Sequence, residues 1–154
     1  ESSGGVLALA TLRRAKEEKL PLPSLCVLIS PVVDFGYHDP DISRYEAIFL
    51  APPWRIDVLH SHYVAGADTR RAELSPVHAD LSGLPPIYAI AGEHDFARVE
   101  IQRLANAAKR HGLTMESVIL PDLWHGWNLL VPWLPEATRA YDELARTIRD
   151  HVTP

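Results

Sequence analysis

Cysteine is nearly absent from this chain. Cys26 stands alone among 154 residues, which excludes an intrachain disulfide and a thiolate metal cluster. It lies inside the apolar run Leu25 to Ile29, where a small thiol is expected to be buried and inert, and such usage fits a reducing, cytoplasmic compartment. Long apolar runs are also lacking. None approaches the ~20 residues that a helix needs to cross a bilayer, so no membrane span is expected. Positive charge is in deficit: 15 Lys and Arg against 20 Asp and Glu leave a net charge of -5. That balance argues against a nucleic-acid surface, which wants clustered cations. Eight histidines are present, but His60 and His62 are spaced so that they do not face each other on a helix. Neither a metal nor a cofactor is expected.

What is there reads as one globular α/β domain over residues 1–154, since 47% hydrophobic and 23% charged residues are enough to bury a core. Residues 3–19 have helical period, with Val6, Leu9 and Ala10 giving way to Arg13, Lys16 and Glu17. Leu20-Pro-Leu-Pro23 stops that helix. Leu25 to Ser30 is a near-continuous apolar run, as in a parallel strand covered on both faces, and Pro31 ends it. From about 32 to 74 the pattern loosens into an excursion. Asp34, Gly36, His38-Asp-Pro40 and Ala51-Pro-Pro53 are turn chemistry, and Trp54 to Tyr63 reads as a helix. Long excursions in compact domains tend to be lids or binding loops, so Phe49, Trp54 and Tyr63 are candidates for lining a cleft. Ile87 to Ala91 predicts the next buried strand, Phe96 to His111 a helix, Thr114 to Leu120 a third strand, Pro121 to Gly126 a loop, and Pro135 to His151 a last helix.

Alternation of this kind implies a parallel sheet with helices on its faces and ligands beyond the carboxyl ends of the strands. Three strands make a poor sheet with open edges. Partner strands are therefore expected from preceding sequence or from another chain.

Three residues fall at the correct ends of these elements. Glu1-Ser-Ser-Gly-Gly5 reads as the second half of a G-x-S-x-G nucleophile elbow whose leading glycine would precede Glu1. Ser2 would be the nucleophile, Gly4 would give clearance at the turn, and the Ser3 amide could donate to an oxyanion. A disordered terminus or a plain helix cap would explain the same string. Asp95 follows the second strand and His125 the third. A serine hydroxyl needs a base within reach, and an imidazole needs a carboxylate to fix its tautomer. Taken singly, Asp95 could simply cap a helix and His125 could be a solvated loop histidine. Together the order Ser, Asp, His is that of an α/β-hydrolase triad.

Ser2-Ser-Gly-Gly5, Leu20-Pro-Leu-Pro23, Ile29-Ser-Pro31, Ser75-Pro76, Asp80-Leu-Ser-Gly-Leu-Pro-Pro86, Gly92-Glu-His-Asp95 and Pro121-Asp-Leu-Trp-His125 together resemble the hormone-sensitive-lipase-like carboxylesterases of the α/β-hydrolase fold. The resemblance covers nearly the whole chain. It implies hydrolysis of short-chain esters through an acyl-enzyme without a cofactor, with Ser2 as nucleophile, Asp95 as acid and His125 as base. Glu1 stands where the family often has Asp, and Trp124-His-Gly126 departs from the usual neighbours of the histidine, which bears on substrate preference. Trp124 and Trp127 join Trp54 as candidate substrate-binding residues. The family's oxyanion loop, cap and first half of the sheet lie before the elbow. The chain is therefore expected to be a carboxyl-terminal portion whose partner is the missing amino-terminal portion of the same protein, and its activity in isolation is expected to be impaired. The resemblance also suggests a homodimer. An amidase or formamidase on the same scaffold, and a non-catalytic small-molecule-binding protein of this fold, are the alternatives.

Overall fold

The computed structural model describes residues 1–37 and 53–152, apart from the side chains at 53–57 and 59. The expected turn residues at 38–40 and 51–52, and Phe49, lie outside the described residues. So does the side chain of Trp54.

The elements run α1 (Gly4–Glu17), β1 (Cys26–Ile29), α2 (Pro53–Val64), β2 (Ile87–His94), α3 (Ala97–Arg110), β3 (Met115–Trp124) and α4 (Pro135–Val152), with short 3-10 turns at Pro76–His78 and Trp127–Leu130. The strands form a parallel sheet in the order β1-β2-β3, with Cys26 opposite Ile87 and Ile87 opposite Met115. Successive side chains on a strand point to opposite faces, and the sheet uses both. Cys26, Leu28, Ile87, Ala89 and Ala91 face one apolar cluster with Leu9 and Leu12 of α1 and Ile101 and Leu104 of α3. Tyr88 and Ile90 face the other, with Ala137, Ala140 and Leu144 of α4 and, packed against it, Val27 and Ile29. The unbroken apolar runs of β1 and β2 are thus what a sheet covered on both sides requires.

One expected boundary is wrong in an instructive way. Pro121 does not end the third strand, which continues to Trp124. Beyond the Gly92–Leu120 pair the register slips, so that Glu93 alone stands against Pro121, Asp122 and Leu123 before His94 pairs with Trp124. This is a β-bulge on what is, among the described residues, an edge strand, where a proline costs no ladder donor. Asp122 takes up the bend with φ 57°. Gly92 allows it, since a Cβ at that position would lie 2.2 Å from the Leu123 carbonyl oxygen.

The loop after β1 is held by charge. Asp34 is only 2% exposed. Its carboxylate accepts from the Gly36 N–H (2.8 Å) and from Arg103 of α3, and His78 Nε2 lies 3.1 Å away. Burial alone would raise this carboxyl, but the hydrogen bonds from Arg103, Gly36 and Ser75 outweigh it and hold it below the usual carboxylate range. Arg103 also lies over the Tyr37 ring, 4.2 Å from its centroid. Phe35 from the same loop stacks on His60 at 4.9 Å and meets Tyr63 of α2 in a tilted contact at 5.1 Å, so the helix within the excursion is seated on the segment leaving β1.

Candidate active site

Ser2 sits in a strained turn at the start of α1. Its φ of 50° lies in the left-handed region that a non-glycine residue enters only at a cost. The surroundings hold it there: the Ser2 N–H donates to the Ile29 carbonyl (3.1 Å) and the Val32 N–H donates to the Ser2 carbonyl (2.9 Å). The elbow is thereby fastened to the carboxyl end of β1. The glycine that makes this approach possible is Gly5 rather than Gly4. A Cβ on Gly5 would stand 2.7 Å from both Pro31 Cβ and the Val32 carbonyl oxygen, whereas a Cβ on Gly4 meets nothing within 4 Å among the described residues. Gly4 begins the helix instead, and its dipole directs positive potential toward Ser2.

Asp95 is fully buried directly after β2. Its Oδ1 accepts from the Ala97 N–H at 2.9 Å and lies 3.0 Å from His125 Nδ1. One carboxylate oxygen therefore both accepts the first amide of α3 and meets the imidazole. His125 follows β3 at the end of the bulge, with a side chain 12% exposed. Its Nε2 lies 3.1 Å from Ser2 Oγ. Three residues, one opening α1 and two following β2 and β3, thus form one hydrogen-bonded line. Phe96 stacks on the imidazole with centroids 4.6 Å apart and planes inclined by 29°, which fixes the ring's tilt. An aromatic beside the acid was not singled out in the sequence, because nothing in its spacing separates a ring-stacking partner from a core residue.

Among the described residues the Ser3 N–H donates to no acceptor. It is the amide that follows Ser2, the expected nucleophile. Trp124 is half-buried against the apolar cluster under α4, just before His125. Trp127, expected as a substrate-binding residue, is instead fully buried within the same cluster, with Tyr141 edge-on to it at 6.2 Å. The reason is Gly126, whose φ of 85° turns the chain back beneath α4. Tyr63 is about half exposed on α2. The Cys26 thiol is pushed up to about 11 by burial, so it offers no competing nucleophile at neutral pH.

Two other features lie apart from this line. A concavity of about 450 Å³ on the outer side of α1, lined by Leu7, Arg14, Leu20 and Glu73, includes none of the three residues. Glu93, His94 and Asp122 bring exposed donor atoms within 4.8 Å of one another at the bulge. The Asp122 N–H donates to Glu93 at 3.4 Å, and loop geometry accounts for the grouping. No helix among the described residues is long and apolar enough to cross a membrane.

Comparison with known proteins agrees with the architecture. Residues 1–129 match a protein family described as alpha/beta hydrolase fold. An acetyl-hydrolase of Streptomyces hygroscopicus is 30% identical over 97% of this chain and 50% of its own length. The carboxylic ester hydrolase LipN of Mycobacterium tuberculosis is 30% identical over 99% of this chain and 43% of its own length. A solved hormone-sensitive lipase from a metagenome library superimposes with a TM-score of 0.91 at 31% identity, over 99% of this chain and 53% of that one. The chain thus spans about half the length of the relatives it matches. With its parallel strands, its turn at Ser2 and these relatives, the chain belongs to the α/β-hydrolase fold family and is similar to the hormone-sensitive-lipase type of esterase.

Proposed function

We propose that this chain carries the catalytic triad of a serine hydrolase that cleaves short-chain carboxylic esters through an acyl-enzyme. The observation that carries the proposal is the line from Ser2 Oγ to His125 Nε2 (3.1 Å) and from His125 Nδ1 to Asp95 Oδ1 (3.0 Å). In the neutral imidazole the Nδ1–H donates to Asp95, which leaves the Nε2 lone pair facing Ser2. As Ser2 Oγ bonds to the ester carbonyl carbon, its proton passes to Nε2, and buried Asp95 stabilises the imidazolium. The tetrahedral oxyanion collapses, the carbon–oxygen bond to the alcohol breaks, and the alcohol leaves with the His125 proton. Water repeats the sequence on the acyl-enzyme: His125 takes its proton, and Ser2 Oγ leaves protonated as the acid is released.

The Ser3 N–H, at the positive end of α1, is placed in this proposal as one oxyanion donor. A donor of this kind contributes ~3 kcal/mol to lowering the barrier. The catalytic unit is proposed to include the part of the relatives' length that this chain does not span, and that part supplies the remaining donor. The name of the Streptomyces relative, an acetyl-hydrolase, supports a small acyl group. A panel of p-nitrophenyl esters of graded acyl length, set against p-nitroanilides and formamides, tests the assignment on the full-length protein. Fastest turnover of the acetyl and butyryl esters is expected, whereas faster turnover of an anilide would make the protein an amidase.

A further inference from the structure

Glu100 is a buried carboxyl that the Ser2–His125–Asp95 line does not use. It is 5% exposed and lies on the face of α3 that otherwise buries Ala97, Ile101 and Leu104. Its Oε2 accepts the Val33 N–H at 3.1 Å. Burial and the neighbouring Asp34 push its carboxyl up to about 7. An apolar side chain would fill this position in the core without that desolvation cost. The acceptor buried here in spite of that cost points to the backbone that it holds.

That backbone leads directly to the nucleophile. Val33 follows Val32, whose N–H donates to the Ser2 carbonyl, and Gly5 packs against Pro31 and Val32. On the other side, Glu100 stands on the helix whose opening Ala97 N–H is bonded to Asp95. Only two hydrogen bonds and one peptide step separate the Glu100 carboxyl from the strained Ser2 turn. Arg103, one turn further along α3, bonds Asp34 in the same loop, but Glu100 is the side chain that bonds the Val33 amide, next to the residue clasping Ser2.

Resting on the hydrolase reading above, we propose that Glu100 is a positioning residue: by holding the Val33 amide it sets the span between Ser2 and Asp95 into which His125 must fit. Its effect falls on kcat, because it touches neither the acyl nor the alcohol group. Three variants of the full-length protein separate this from simple core filling. Glu100→Gln keeps the length and one acceptor oxygen, Glu100→Asp withdraws the acceptor by one methylene, and Glu100→Ala removes it.

With p-nitrophenyl acetate, kcat is expected to fall ~10²-fold in the Ala variant and about 10-fold in the Asp variant, with KM within about 2-fold, because a displacement near 1 Å at the reacting groups costs on that order. The Gln variant is expected to stay within about 3-fold of the parent, since its acceptor is retained. Folded Ala and Asp variants with the parent kcat would overturn the proposal, as would a Gln variant as impaired as Ala. If the Ala variant fails to fold, the Asp and Gln pair decides: Asp impaired with Gln intact supports the proposal, and equal activities overturn it. Ser2→Ala separates the two levels. Hydrolysis that survives Ser2→Ala removes the reading of Ser2 as nucleophile and Glu100's role with it. Hydrolysis that is lost with Ser2→Ala yet indifferent to Glu100 overturns the Glu100 proposal alone.

Discussion

Gly92→Ala tests how the bulge delivers the histidine. A Cβ at Gly92 would stand 2.2 Å from the Leu123 carbonyl oxygen, 2.4 Å from its carbon and 2.9 Å from the Trp124 nitrogen. Comfortable separations of such atoms begin near ~3.5 Å. All the obstructing atoms are backbone, so no side chain can rotate away, and the Leu123–Trp124 peptide has to retreat by about 1 Å. His125 is the next residue. Its contacts with Ser2 and Asp95 are 3.1 and 3.0 Å, and a hydrogen bond stretched beyond ~3.5 Å is no longer one. With His125 as the proposed base, a displacement of that size is expected to lower kcat/KM by ~10²-fold. The measurement is ester hydrolysis by the full-length Gly92→Ala protein, with circular dichroism confirming the fold. Gly4→Ala is the control, since a Cβ there meets nothing within 4 Å among the described residues. If folded Gly92→Ala keeps activity within about 3-fold of the parent, the bulge does not set the position of His125, and the argument from misplacement is wrong.

Glu100 also predicts a pH dependence of stability. Its carboxyl is raised to about 7 in the folded protein, first by burial and then by Asp34, with the Val33 amide and Arg103 acting the other way. The folded state holds this proton more tightly than the unfolded one. The associated stability is therefore present below the ordinary carboxyl value of ~4.3 and is lost as pH rises through about 7. Glu100→Gln should gain on the parent by about 2 to 3 kcal/mol between pH 4.5 and pH 8 in denaturant titrations, and an unchanged difference would contradict the reasoning. Cys26, with its thiol pushed up to about 11, should react with a thiol reagent at pH 8 only when the protein is unfolded. Native and denatured rates that match would show that the thiol is accessible.

Much of this arrangement was legible from residue pattern. The apolar runs at Leu25 to Ile29 and Ile87 to Ala91 predicted strands covered on both faces, and the charged and apolar periods of α1, α3 and α4 predicted their helices to within a few residues. Ser2, Asp95 and His125 stood out because Ser2 opens the first helix while Asp95 and His125 follow the second and third strands, which places all three at one rim. What escaped was set by contacts between distant segments. Pro121 is a stop signal locally, yet an edge strand tolerates it and bulges around Gly92. Trp127, two residues past the histidine, reads as a substrate-binding candidate, but after the left-handed turn at Gly126 it is buried in the cluster under α4. Glu100 was not singled out in the helical repeat of residues 96–111. Only the fold brings the Val33 amide to it.

The most direct test of the central claim is phosphonylation of the full-length protein by a fluorophosphonate probe, with the modified peptide identified by mass spectrometry. The account predicts stoichiometric labelling at Ser2, abolished by Ser2→Ala and slowed by roughly 10³-fold or more by His125→Ala, because the hydroxyl depends on that imidazole for its reactivity. Ester hydrolysis that persists with Ser2 unlabelled, or a label carried by a different residue, would contradict it.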